Sequence, residues 1–498
     1  MSSSTPSTSV TPSSHPLSSP INVLIQSAKN ETEVIEWGKF CATRGFAHRP
    51  GAIERFYRKY QNDPTRRLDW VIIGYHDTNS SASTSSTTST SSSSASTSIP
   101  TTDNSITEHS ERTLPIIGSV RLFDRVMYTD SSSSIDPSSK SSSNSKIHMI
   151  GWGEVCTEPL YRGQGIANKV LSYAVNIMEQ YHQQYPNYKV SLLHAAIPVM
   201  PLYEKFGYKS ILLHHGSIKL LSKLINPIPL PIPLPNNPDS NNNLSIPLLF
   251  TPNVSDRKFV VRLAEIPSVA NTNSTTKDDV PELLRIHQET IHTLSSFWTS
   301  GIIERNEEYW RTWITFAARG HLWVLEEVNT VTNNTRLLGY ACAHWRNDTL
   351  RLMDIGFSNT TTNKDILYLL ETAYIYGWGP ERYVAAAALQ AANALASSVT
   401  GSNPTTTVPL TTTIEPQYLQ STNLIIPHPI LLWFDPLFSK ELSSSTSSTS
   451  DLYIPDLPTE LDPGWMVRSL HNDCDRERDC IVKLGEEGKF CIFGLDGF

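Results

Sequence analysis

A short glycine turn between a strand-like and a helix-like segment constrains the fold of this chain more than any other feature. The residues before it, 153–157, are extended in character, and the turn runs from Arg162 to Ala167. From Ile166 onward apolar residues recur at helical spacing as far as Tyr181, which predicts an amphipathic helix. A strand that passes through such a turn into a helix predicts a domain of the α/β class with helices packed on a sheet.

The same turn has the chemistry of a phosphate-binding site. Gly163 and Gly165 allow the backbone to approach a ligand closely, and Arg162 supplies positive charge. The start of the helix adds N–H donors and the positive end of its dipole. The alternative is a plain strand-to-helix turn, but the position between a strand and a helix favours a pyrophosphate site.

Ser- and Thr-rich blocks interrupt the chain at residues 1–20, 79–110, 130–146 and 443–450. Such segments bury too little apolar surface to fold alone, so we expect disorder there. Closing a longer flexible loop costs entropy that grows only with the logarithm of its length. The blocks at 79–110 and 130–146 are therefore predicted to be disordered insertions within one domain, and residues 1–20 a disordered tail.

The pattern of elements predicts two domains of similar order. Residues 21–222 read as β-α-α-β-β-β-α-β-α-β, and a Pro- and Asn-rich linker over residues 223–257 follows. The first helix of residues 21–222 is predicted over about 31–46. Residues 258–470 repeat much of that order, with helices over 305–318 and 381–396 and strands over 430–434 and 465–470, and residues 471–498 form a C-terminal extension. The second copy has no glycine turn after its fourth strand, which predicts one cofactor site per chain.

Charge and cysteine content exclude several classes of function. A formal net charge of -8 argues against a nucleic-acid partner. No apolar run reaches membrane-spanning length and the N-terminus lacks a signal peptide, so we expect a cytoplasmic protein, with the nucleus also open. The cysteines are scattered without the paired spacing of a zinc site, which predicts reduced thiols and no metal. They are Cys41, Cys156, Cys342, Cys474, Cys480 and Cys491.

Around the turn the sequence resembles the GCN5-related N-acetyltransferase superfamily. The family signature R/Q-x-x-G-x-G/A is met by Arg162, Gly165 and Ala167. The resemblance implies a mixed central sheet flanked by helices, acetyl-CoA as cosubstrate, and main-chain contacts from the preceding strand to the pantetheine arm and the acetyl carbonyl. The residues implied to hold acetyl-CoA are Val155, Cys156, Thr157, Arg162, Gly163, Gln164, Gly165, Ile166 and Ala167.

The same resemblance implies the catalytic groups. Tyr203, just before the glycine at position 207, corresponds to the family's general acid for the CoA thiolate. A tyrosine packed in the core is the alternative. Glu154, on the strand that would flank the acetyl group, is the predicted base. A solvent-facing or salt-bridged strand carboxylate is equally open for it, and His148 and Asp124 are weaker candidates. Cys156 is expected to be a small buried thiol and not an acyl-carrying nucleophile.

The second half is similar to the central domain of the enhanced-intracellular-survival type of acetyltransferase, on segments 308–310, 338–340 and 464–468. Fungal lysine N-acetyltransferases have a similar two-part layout. These resemblances imply transfer of an acetyl group to a primary amine on a small molecule or a peptide, with free lysine as a candidate by analogy. The alternative is an inactive acyl-CoA-binding or interaction protein. The sequence does not indicate an oligomeric state.

Overall fold

The structure of the protein is a computed structural model. It describes residues 21–46, 53–77, 114–129, 145–218, 248–250, 258–267, 277–294, 300–319, 321–329, 331–332, 334–346, 349–362, 365–366, 369, 424–427, 455–487, 489–493 and 496. The predicted disordered segments at 1–20, 79–110 and 443–450, and nearly all of the one at 130–146, lie outside these residues.

The chain divides into two compact units, which do not follow its two halves. The first unit consists of Met1–Tyr57, Arg67–Arg121 and Glu154–Val175, and the second of Arg58–Arg66, Leu122–Gly153 and Asn176–Phe498. The bounds predicted at residues 222 and 258 do not coincide with the bounds of these units. Some elements of the first half run from one unit into the other.

The elements of the first half follow the predicted order closely. In chain order they are β1 (Val23–Ser27), α1 (Glu31–Phe40), α2 (Ile53–Gln61), β2 (Val71–His76), β3 (Ile116–Thr129), β4 (Ser145–Thr157), α3 (Ile166–Gln184), β5 (Tyr188–His194), α4 (Met200–Glu204) and β6 (Lys209–Ile218). The helix predicted to continue to residue 46 instead widens into a π-helical turn over Cys41–Gly45.

The described residues of the second half form both strands and helices. Its elements are β7 (Leu248–Phe250), β8 (Lys258–Leu263), α5 (Val280–Leu294), β9 (Ser300–Ile303), α6 (Glu307–Tyr309), α7 (Thr315–Ala318), β10 (Leu322–Val328), β11 (Thr335–Arg346), β12 (Thr349–Phe357), β13 (Leu424–Pro427), β14 (Pro455–Ser469) and α8 (Asp475–Glu486).

Three predictions for the second half need correction or lie outside the described residues. The helix predicted over 305–318 is broken by a π-helical turn at Trp310–Ile314, whose aromatic residues are buried. The predicted linker 223–257 contains β7, because its Leu-Leu-Phe run pairs antiparallel with β8. The helix predicted at 381–396 and the strand at 430–434 lie outside the residues that the structure describes.

The structure confirms the predicted α/β class with a mixed sheet. In the first unit β1, β2 and the start of β3 form an antiparallel ladder, with Ile72 opposite Val120. In the second unit β4 runs parallel to β5, whereas β10, β11 and β12 are antiparallel. Among the residues described, no helix is long and apolar enough to cross a membrane.

β14 is the strand that sequence reasoning placed least well. It begins at Pro455 and not at Trp465, and it pairs antiparallel with both β5 and β6 of the first half. α8, in the predicted C-terminal extension, packs on β6, where Ile481 and Leu484 join a core cluster with Ile211. The end of the chain is therefore part of the second unit's core.

Candidate functional site

The glycine turn has the backbone geometry that its sequence predicts. β4 ends at Thr157, a single 3-10 turn follows, and α3 begins at Ile166. Gly163 and Gly165 have φ of 79° and 78°, in the left-handed region that L side chains rarely adopt. A Cβ added to either glycine would meet no atom within 4 Å. The turn is thus exposed, with open space beside both glycines.

Two further glycines, which the sequence analysis did not single out, seat α3 on the sheet. A Cβ at Gly118 of β3 would lie 2.9 Å from Ile166 Cγ2, and one at Gly74 of β2 would lie 3.1 Å from Val170 Cγ2. Both contacts are tighter than ordinary van der Waals packing. The absence of side chains there lets the first turn of the helix lie directly on the strands, which fixes the position of the glycine turn.

Polar side chains around the turn carry positive charge. The Arg162 guanidinium lies 3.4 Å from Thr157 O and 3.5 Å from Gly45 O, and it is exposed. Lys169, one turn into α3, is exposed as well, and Gln164 donates to Leu160 O at 3.3 Å. Two cations beside the N–H donors of a helix start form an arrangement that attracts phosphate groups.

The strand before the turn alternates in burial. Cys156 is 8% exposed, with Sγ 3.2 Å from Ser119 Oγ and 3.7 Å from Cys41 Sγ. These contacts place its side chain in the core of the first unit, which fits the predicted role as a buried thiol. Val155 and Thr157 are half-buried on the other face. Their contact with a cofactor remains a prediction.

Glu154, the predicted base, has an unusual backbone. Its φ is 50°, and among the described residues only Arg319 shares this non-glycine conformation. A left-handed residue other than glycine costs about 1–2 kcal/mol. The side chain is 6% exposed, and Ser119 Oγ donates to its carbonyl oxygen at 3.2 Å. The strained residue lies in β4, two positions after the last residue that pairs with β5.

Tyr203 lies in α4 and its ring is 7% exposed. It packs edge-on against Trp152 of β4, with ring centroids 6.3 Å apart, and against Tyr208 at the same separation. Trp152 in turn donates to Met178 Sδ at 2.8 Å on α3. Trp152 also pairs with Leu193 at the last step of the parallel β4–β5 ladder. The predicted acid is therefore held at the end of that ladder.

The two weaker base candidates lie at the opposite end of the same ladder. His148 pairs with Tyr188, and the Tyr188 hydroxyl donates to Asp124 Oδ2 at 2.9 Å. Burial raises the pKa of Asp124, against the effect of this hydrogen bond. Trp152 lies four positions beyond His148 along the strand, a distance of about 13 Å at 3.3 Å per residue. The structure thus brings His148 and Asp124 together and separates them from Tyr203.

In the second half, the segment that follows β12 is hydrogen-bonded to a carboxylate of the chain. After β12, the N–H of Asn359 and the hydroxyl of Ser358 both donate to Glu289 Oε2, each at 2.9 Å. Burial opposes ionisation of Glu289, but these bonds and Arg285 lower its pKa overall. Glu289 thus accepts hydrogen bonds from the segment after β12, whereas the segment after β4 in the first half is the glycine turn. No group of His, Cys, Asp and Glu that could hold a metal occurs within the described residues.

Comparison with known proteins gives matches only among solved structures. No family model matches the chain, and no curated protein matches it. A GCN5-related N-acetyltransferase from Kribbella flavida is 10% identical, with 90% of this chain and 71% of that one covered and a TM-score of 0.43. A probable N-acyltransferase from Enterococcus faecalis is 10% identical, covering 92% and 74%, at 0.44. Eis1 from Mycobacterium abscessus is 10% identical, covering 90% and 74%, at 0.40.

Proposed function

We propose that this protein is an acetyl-CoA-dependent N-acetyltransferase that acts on a primary amine of a small molecule or a peptide, with free lysine as a candidate. The observation that carries the proposal is the exposed turn with two left-handed glycines at the start of α3. Arg162 and Lys169 add the charge that a pyrophosphate requires. The unusual backbone of Glu154, directly before Val155 and Cys156, supports the same reading.

The chain's residues would divide the work as follows. N–H groups of residues 163–167 bind the phosphates, and main-chain groups of Val155 and Cys156 orient the acyl end. Acetyl-CoA supplies a thioester that a free amine can attack directly. Tyr203 donates a proton to the thiolate that departs, because a phenol held against a developing thiolate is a usable acid. Cys156 has no part in covalent chemistry, since its thiol is buried against Ser119 and Cys41.

The proposal is tested by incubating the full chain with acetyl-CoA and a panel of primary amines while free thiol is measured. We expect thiol release that depends on one class of amine. Binding of acetyl-CoA without release on any amine would instead identify an inactive acyl-CoA-binding protein. Release at equal rates with and without amine would mean thioester hydrolysis, which also contradicts the proposal.

Tyr203→Phe is expected to lower kcat about tenfold or more, since it removes only the proposed proton donor and keeps the buried ring. The matched control is Tyr208→Phe, which removes a hydroxyl 2.7 Å from Ser191 Oγ in the same aromatic cluster. The control should change thermal stability and leave kcat unaltered. Equal kcat for Tyr203→Phe and the wild type would assign Tyr203 to packing alone. Stopped assays of thiol release at saturating acetyl-CoA measure kcat for both variants.

A further inference from the structure

A histidine and an aspartate from opposite halves of the chain form a pair at the end of β5. His194 is the last residue of that strand, and its Nε2 lies 3.1 Å and 3.2 Å from the two carboxylate oxygens of Asp462 on β14. The His194 side chain is 34% exposed and that of Asp462 27% exposed. The pair is thus tied to the strands and open to solvent on one side.

The backbone around Asp462 is built to hold its carboxylate in place. The N–H of Gly464 donates to Asp462 Oδ1 at 3.0 Å, and the N–H of Ala195 donates to Gly464 O at 2.8 Å. A Cβ at Gly464 would lie 2.6 Å from Ala195 O and 2.9 Å from His194 Nε2, so a side chain there would displace the pair. Trp465 packs edge-on against the imidazole, with centroids 5.2 Å apart.

Asp462 stays ionised, as the partner of an imidazole that accepts a proton should. Burial opposes ionisation, but the hydrogen bond with His194, the charge of that ring and the Gly464 N–H lower the pKa of Asp462 to about 2. A carboxylate that stays ionised stabilises an imidazolium formed beside it. Because Asp462 accepts from Nε2, the neutral ring carries its proton there and leaves the Nδ1 lone pair available. In the described part of the chain, Nδ1 has no hydrogen-bond partner.

The pair lies where the parallel ladder of β4 and β5 ends. The last paired residues are Trp152 and Leu193, and His194 follows at once. Alternation along β5 puts His194 on the face of Leu192, which shares a core cluster with Trp465. Trp152 packs against Tyr203 and α3 on the other face. A histidine and the proposed acid thus flank the same strand end from opposite faces.

We propose that His194 is the general base of the reaction, accepting a proton at Nδ1 from the ammonium group of the substrate while Asp462 holds the ring. The proposal rests on the proposed function. Once the ammonium has given its proton to His194, the amine nitrogen forms a bond to the acetyl carbon and the carbon–sulfur bond breaks. Tyr203 gives its phenolic proton to the departing sulfur and regains a proton from the nitrogen, which thereby loses its second proton. His194 releases its proton to solvent, so the products are the amide, CoA thiol and one proton.

The test uses the full chain and three variants. His194→Gln is expected to lower kcat about a hundredfold while acetyl-CoA affinity, measured by calorimetry, stays unchanged. Asp462→Asn should lower kcat about tenfold with little change in the KM for the amine, because it removes the charge that holds and stabilises the ring. His194→Ala should regain activity in proportion to added imidazole, which a packing role would not produce.

The matched control is His471→Gln, since His471 also pairs with an aspartate, Asp473 at 3.2 Å, on an exposed part of the second unit. It should leave kcat unchanged. Wild-type kcat in His194→Gln, or an inactive His194→Ala that imidazole does not restore while acetyl-CoA still binds, would overturn the proposal. Loss of activity in Glu154→Gln with His194→Gln fully active would move the role to Glu154. No turnover by the wild type on any amine would remove the proposed function itself.

Discussion

Gly165→Asp is expected to lower the affinity for acetyl-CoA at least about a hundredfold. Two effects add. The backbone at Gly165 has φ of 78°, which an aspartate adopts less readily than a glycine. Its carboxylate would also enter the free space in front of the turn, beside the bound phosphates, where like charges repel. Calorimetric titration of acetyl-CoA into the purified full chain measures the loss.

Two control variants separate charge from strain. Gly165→Asn has nearly the same shape and the same tolerance of the left-handed region as the aspartate variant, so it isolates the effect of charge and should lose much less affinity. Gly207→Asp introduces the same residue at another left-handed glycine, with φ of 81° next to Arg468, and should leave acetyl-CoA affinity intact. Wild-type affinity in Gly165→Asp would show that the turn does not bind the phosphates.

Arg305→Met is expected to destabilise the second unit by about 3–5 kcal/mol, because it leaves two buried carboxylates without their cation. Arg305 Nη1 donates to Asp354 and Nη2 to Asp496, both at 2.6 Å, and all three side chains are fully buried. Asp496 lies close to the end of the chain and also accepts from the Tyr309 hydroxyl at 3.2 Å. The charged cluster thus fastens the C-terminal residues to the core.

The thermal midpoint of this variant should fall on the order of 10 °C. The control is Arg67→Met, whose ion pair with Asp69 is half-exposed and is expected to contribute less than about 1 kcal/mol. A midpoint within one or two degrees of the wild type for Arg305→Met, in buffer near neutral pH, would contradict a stabilising role for the cluster. Scanning calorimetry on both variants gives the comparison directly.

The direction in which pH changes the stability of the folded state can be predicted from this cluster. Burial raises the pKa of Asp354 to about 6, against the pull of Arg305 and with the help of Asp496. A carboxyl group whose pKa is higher in the folded than in the unfolded state binds protons more tightly when folded. Its ionisation therefore weakens folding as pH rises from about 4 to about 6.

The glycine turn could be predicted because all of its determinants are local. Helical spacing from Ile166, two glycines and a preceding strand occupy one short stretch, and the structure reproduces each of them. The end of α3 and the start of β5 can be predicted for the same reason, because Pro186 lies between them and cannot continue the helix. Local pattern was also enough to predict the α/β class.

What the sequence could not predict depends on pairing between distant segments. His194 and Asp462 are 268 residues apart, and only the register of β14 on β5 brings them together. Glu289 reaches Asn359 through a helix packed beside a strand, a contact with no local signal. Nothing in the sequence distinguishes Gly74 and Gly118 from other strand residues, because their role depends on α3 packing against them. The order of strands that lie far apart in the sequence depends on how they pack together, and the local residue pattern does not determine it.

The central claim, transfer of an acetyl group to an amine, is tested most directly with acetyl-CoA that carries carbon-13 in the acetyl group. The full chain is incubated with this reagent and the amine panel, and products are identified by mass spectrometry. We predict labelled N-acetyl amine and free CoA in equal amounts with the wild type, and neither with Gly165→Asp. Label recovered only in acetate, or only in intact acetyl-CoA, would contradict the claim.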